Sequence, residues 1–134
     1  MGIHFGVDYY PEHWERERWD MDAALMQKMG IQMVRMAEFS WHKLQPSEDV
    51  FDFAWLDEAI ELLGKYGIYT IVGTPTAAPP AWMVHKHPDT LPTDREGRVR
   101  GFGGRHHDCQ SNPIYREYIR KLVAKMAKHY GGNP

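Results

Sequence analysis

The sequence predicts an α/β protein built around a parallel sheet. Two observations predict it. A helix end, a glycine and an apolar run follow one another twice, at Met29-Gly30-Ile31-Gln32-Met33-Val34 and at Tyr66-Gly67-Ile68-Tyr69-Thr70-Ile71-Val72. Each glycine suits a left-handed helix cap, and each run suits a buried parallel strand. Between the runs lie amphipathic stretches at helical spacing, and such alternation of helix and strand means right-handed βαβ units.

In order along the chain, strands are expected at about residues 3–8, 31–37 and 68–73, and helices at about 16–29, 54–66 and 113–130. Trp19, Ala23 and Met26 mark the buried stripe of the first helix. Leu56, Ala59, Ile60 and Leu63 mark that of the second, and Tyr115, Ile119, Leu122, Val123 and Met126 that of the third. Asn112-Pro113 should open the last helix, a side-chain cap followed by proline where the missing N–H costs nothing. A parallel sheet of so few strands keeps unpaired edges, so the arrangement is expected to need further strands.

Composition narrows the function. With 134 residues and 43% hydrophobic content the chain has material for one ordinary core. Its sixteen Lys and Arg are scattered among eighteen acids for a net charge of -2, which gives no basic stripe for a nucleic acid. The only cysteine, Cys109, cannot form an internal disulfide. No apolar run approaches the length of a membrane span, and a soluble, untargeted, cytoplasmic protein is expected, with neither membrane nor nucleic acid as partner.

Chemistry is expected at the C-terminal ends of the strands, where loops of parallel barrels carry the working residues. Asp8-Tyr9-Tyr10-Pro11-Glu12-His13-Trp14 follows the first strand and groups acids with aromatic rings, which suits a carbohydrate: rings meet sugar C–H faces and acids meet hydroxyls. A capping loop with Trp14 in the core is the alternative. After the second strand, Arg35 and Glu38 are placed to pair across the rim with Glu38 facing the pocket, or simply to stitch the rim together. Composition alone nominates Glu38 with Asp8 or Glu12 as a carboxylate pair.

The third strand runs into Thr74-Pro75-Thr76-Ala77-Ala78-Pro79-Pro80-Ala81-Trp82, a rigid, small-residue path that presents Trp82. Residues 74–112 exceed an ordinary βα loop, which argues for function. Within them Gly101-Phe102-Gly103-Gly104 leads to Arg105, whose guanidinium suits sugar hydroxyls or a carboxylate. His106, His107, Asp108 and Cys109 could suggest a metal, but neighbours on an extended chain point to opposite sides and rarely share one ion.

Together, Tyr9-Tyr10-Pro11-Glu12-His13-Trp14, Arg35-Met36-Ala37-Glu38-Phe39-Ser40-Trp41, Thr74 through Trp82, and Gly104-Arg105-His106-His107-Asp108-Cys109 with Asn112-Pro113 resemble, in order and spacing, the β-galactosidases of glycoside hydrolase family 42. The resemblance implies a (β/α)8 TIM barrel, of which residues 1–134 would supply the first three βα units. It also implies retaining hydrolysis of terminal non-reducing β-D-galactosides by two glutamates, without a cofactor for catalysis. Arg105 matches the family arginine that hydrogen-bonds galactose, and Glu38, Tyr10 and Trp82 are the further substrate-binding candidates. Cys109 matches the first of the cysteines that hold a structural zinc in some members, and Asp108 departs from the aromatic or small residue common there. Relatives of this kind are often homotrimers.

The family's acid/base glutamate sits in an Asn-Glu pair ending the fourth strand, and its nucleophile comes later. Both are expected beyond Pro134, so the 134 residues alone are expected to be inactive. Two other readings stand beside this one. One is a non-catalytic galactose-binding module using Trp14, Trp41, Trp82 and Arg105, the other a self-associating piece that needs the remainder of a barrel.

Overall fold

The computed structural model describes residues 3–104 and 106–132. Its sheet has three parallel strands in the order β1 (Gly6–Asp8), β2 (Met33–Met36) and β3 (Tyr69–Val72). The register sets Val7 beside Val34 beside Thr70, and Asp8 beside Arg35 beside Ile71. Sequence order equals spatial order, as expected of successive right-handed βαβ units.

The helices are α1 (Arg18–Lys28), α2 (Trp41–Leu44), α3 (Ala54–Lys65), α4 (Ala81–Lys86) and α5 (Pro113–Tyr130). The three expected helices are present within a few residues, and the two short ones, α2 and α4, are additions. Gly30 and Gly67 close α1 and α3 with φ of 77° and 71°, the left-handed turn that their missing side chain permits.

Asn112 caps α5 as expected, its Oδ1 accepting from the backbone N–H of Ile114 at 2.9 Å and of Tyr115 at 3.1 Å. The same side chain works outward too. Its Nδ2 donates to the backbone oxygen of Asp89 at 3.0 Å and to the Asp89 carboxylate at 3.1 Å. One residue thus starts the helix and holds the 3-10 turn Pro88–Thr90 against it.

Helices cover one face of the sheet. Val34 and Met36 point into them and are fully buried, together with Ala23, Leu56, Leu63, Met83 and Leu122. Trp41 lies at the centre of this core, its indole N–H donating to Gln45 Oε1 at 2.8 Å and its ring tilted against Tyr115. A buried Trp needs such a partner for its N–H. The stripe of α5 runs through Tyr115, Tyr118, Leu122 and Met126, with Ile119 and Val123 at its margin.

The opposite face is bare. Gly6, Asp8, Met33, Arg35 and Ile71 line a shallow concavity of about 520 Å3 there, and Tyr69 and Ile71 are 68% and 50% exposed. The apolar runs were expected to be buried strands on both faces; only the helix side is. All three strands are shorter than expected, β1 in particular, although Phe5 continues the alignment by accepting from the Gln32 backbone N–H at 2.9 Å and donating to the Gln32 side chain at 3.3 Å.

The segment between β3 and α5 is folded rather than loose. It contains 3-10 turns at Pro75–Ala77 and Pro88–Thr90, helix α4, and an isolated bridge between Thr93 and Val99. Met83, Val84, Thr90, His107 and Asp108 are all buried within it.

Candidate functional site

At the C-terminal ends of β1 and β2 the chain brings Asp8, Tyr10, Arg35 and Glu38 together on the side of the open face. The Tyr10 hydroxyl donates to Glu38 Oε1 at 2.8 Å. Arg35 reaches the same oxygen at 3.5 Å and Asp8 at 3.9 Å. Burial and then the bond to Glu38 push the Tyr10 hydroxyl up to about 12, so it stays a donor at any physiological pH.

Glu38 was expected to face the pocket. It is instead buried, at 6% exposure, and no described group donates to its second oxygen, which is sealed from solvent. The Arg35 side chain, at 52%, is the group left open at the mouth. In the sequence, Arg35 is legible only as a partner for Glu38. The register was the missing signal, since Arg35 shares its face with Met33 while Val34 and Met36 point to the helices.

The backbone is bent to achieve this. Ala37, fully buried between Met36 and Glu38, has a φ of 77°, a left-handed conformation that costs an L-residue roughly 1–2 kcal/mol. From β3, Gly73 closes in: a methyl group there would lie 3.0 Å from the Glu38 Cβ and 3.3 Å from its Cα. Any larger residue would have to push Glu38 back by a few tenths of an ångström.

Aromatic rings surround the cluster. His13 stacks on Tyr10 with centroids 5.5 Å apart, and Phe39 lies 6.1 Å away on another side. Trp14 is not in the core; it is 49% exposed, with the Arg18 guanidinium 3.9 Å above its ring. Glu12 is tied to the Ser40 hydroxyl, and its backbone oxygen accepts from Lys43. Glu12, Glu38 and Asp8 therefore do not form a pair of open facing carboxylates.

Other expected residues fall elsewhere. Trp82 is half-buried, donates from Nε1 to the Gln45 backbone oxygen at 3.0 Å and meets Tyr118 edge-on at 5.5 Å. Its ring is spent on joining α4 to α5 and to the segment after α2. Trp41, named among the rings of a binding module, is core and offers no face to a ligand, which corrects that reading. Arg105 lies outside the described residues.

Of the zinc ligands that the resemblance implies, Cys109 is the one expected within this stretch. Cys109 is half-buried, and among the described residues no three of His, Cys, Asp and Glu gather where a metal ion could sit. The His107 ring is engaged by carbonyls, Nδ1 with Gly104 at 2.5 Å and Nε2 with Pro79 at 3.3 Å. Asp108 is buried, and after burial of the Tyr115 hydroxyl itself it is the charge of Asp108 and a hydrogen bond to it that keep that hydroxyl protonated. One thiol beside committed neighbours does not make the four-ligand set that structural zinc takes.

Comparison with known proteins gives a consistent result. A family model for glycoside hydrolase 42, described as β-galactosidase, matches residues 8–134. A β-galactosidase of Thermus thermophilus is 51% identical over 127 residues, and the β-galactosidase BgaH of Haloferax lucentense is 46% identical over 129. They match 95% and 96% of this chain, which spans about a fifth of the length of these curated relatives. Among solved structures, the β-galactosidase of the psychrophilic Marinomonas ef1 superimposes with a TM-score of 0.94 at 47% identity, over 98% of this chain and 20% of that one. The β-galactosidase of the Antarctic haloarchaeon Halorubrum lacusprofundi gives 0.94 at 45%.

Proposed function

The chain belongs to glycoside hydrolase family 42, the β-galactosidases, and from that membership we propose that it forms three βα units of a (β/α)8 barrel whose intact form hydrolyses terminal β-D-galactosides with retention. The observation that carries the reading is the convergence of Asp8, Tyr10, Arg35 and Glu38 at the strand ends, on the face of the sheet that no helix among the described residues covers. In parallel barrels that rim is where substrates are handled.

In this proposal the rest of the barrel supplies two glutamates. One protonates the glycosidic oxygen while the other attacks the anomeric carbon and expels the aglycone; a water, deprotonated by the first, then releases galactose with its anomeric configuration retained. Residues of this stretch bind and orient. Arg105 donates to galactose hydroxyls, Tyr10 and Arg35 border the sugar, Glu38 belongs to the same site, and Trp82 supports the wall from behind. Cys109 contributes at most one thiolate to a zinc site completed elsewhere. We also propose a cytoplasmic homotrimer; among the described residues no helix is long and apolar enough to cross a membrane.

The full-length protein is expected to release galactose from an aryl β-galactoside, with the β-anomer appearing first by proton NMR. First appearance of the α-anomer, or no turnover of any β-galactoside, would reject the reading. The 134 residues alone are expected to turn over nothing.

A further inference from the structure

Residues from the ends of all three strands are arranged about one buried carboxylate, that of Glu38. Tyr10 after β1 donates to Glu38, Arg35 of β2 leans on it, and Gly73 after β3 packs against its Cβ. Ala37 is held in a left-handed conformation immediately before it. Strained backbone of this kind persists only where its surroundings over-determine it, and it concentrates at functional sites. A buried anion is costly unless its partners are well placed, so Glu38 in turn dictates where the Tyr10 hydroxyl and the Arg35 guanidinium must lie.

We propose that Glu38 is a positioning residue: it fixes Arg35 and Tyr10 in the orientation in which they meet the sugar and itself makes no contact with substrate. This rests on the galactosidase reading and refines the place of Glu38 within it. Burial of Glu38 and of its Oε2 sets a sugar hydroxyl apart from it without movement of the rim. The open guanidinium of Arg35, half exposed and bracketed by Glu38 and Asp8, is the group through which Glu38 acts.

The test is a double-mutant cycle in the full-length protein, read as kcat and KM on an aryl β-galactoside. Glu38→Gln keeps the size and an acceptor for Tyr10 but removes the charge that holds Arg35. Displacing a reacting group's neighbour by about 1 Å costs on the order of a hundredfold in rate. The expected result is a fall in kcat of at least about tenfold with KM nearly unchanged. Arg35→Ala should lose as much, and the double variant no more than Arg35→Ala alone.

A rise in KM with kcat intact would make Glu38 a direct substrate contact and overturn the proposal. Additive losses would overturn it as well, because Glu38 would then act independently of Arg35. Should Glu38→Gln fail to fold, Glu38→Asp carries the same cycle with the charge kept but drawn back from Tyr10 and Arg35. A wild-type protein that releases no galactose from β-galactosides fails the functional reading first and this proposal with it.

Discussion

On the helix side of the sheet Val34 and Met36 are fully buried, while one residue along, on the other side, Arg35 stands open and Ile71 of the neighbouring strand is half exposed. The same strands carry both faces. The helix side is closed by elements that the chain brings itself, and apolar area removed from water stabilises it at roughly 25 cal/mol per Å2. The open side holds the charged cluster and leaves its apolar residues in water. Stability and chemistry are thus separated by the two-residue period of the strand, and substitutions on the two sides should fail in different ways.

The largest expected effect is on the helix side. Trp41→Ala should cost about 3–5 kcal/mol in urea unfolding, the range for losing a buried aromatic ring. Ile71→Ala, its counterpart on the open face, should stay within about 0.5 kcal/mol for the 134-residue chain. Equal losses would break the distinction. Next comes Arg105→Ala in the full-length enzyme, expected to lower kcat/KM by roughly 1.5–3 kcal/mol, as for a charged hydrogen bond, with unfolding unchanged. An unaltered kcat/KM would remove Arg105 from the site.

Smaller effects sharpen the boundary between the faces. Gly73→Ala should cost about 1–3 kcal/mol, because its methyl group must push Glu38 aside. Ala37→Gly should be neutral or stabilise by up to about 1 kcal/mol, since glycine accepts the left-handed backbone. The smallest effect is alkaline. Tyr10 titrates near 10 when unfolded and near 12 when folded, so the folded state keeps a proton that the unfolded state has lost. Stability is intact below pH 10 and falls between 10 and about 12, and a Tyr10→Phe variant should show a shallower decline in that window.

How much of this the sequence shows follows the same division. Gly30 and Gly67 revealed the ends of α1 and α3 because left-handed caps have a nearly unique residue preference. Asn112-Pro113 revealed the start of α5 for a similar reason. Helix α2 stayed hidden because four residues give no periodicity, and α4 because prolines on both sides read as an irregular loop.

At the site, Tyr10 and Glu38 were legible as residue types beside a strand end. Their mutual bond was not, because it joins positions 28 apart in sequence. The burial of Glu38 depends on the left-handed turn at Ala37, which an alanine in the sequence does not announce. Tryptophans misled for a related reason. Trp41 and Trp82 are equally conspicuous in the text of the chain, yet both indole N–H groups are consumed by Gln45, one by its side chain and one by its backbone.

The cap of α5 carries a consequence for the ageing of the protein. Spontaneous deamidation of asparagine proceeds through a cyclic imide, formed when the next residue's backbone nitrogen attacks the side-chain amide carbon. At Asn112 that nitrogen belongs to Pro113, which has no hydrogen to lose, so this route is closed. Were the amide to become a carboxylate it would face Asp89, where the amide nitrogen now sits 3.1 Å from a carboxylate oxygen, and attraction would turn to repulsion. The proline that begins the helix therefore also protects its anchor from slow chemical decay.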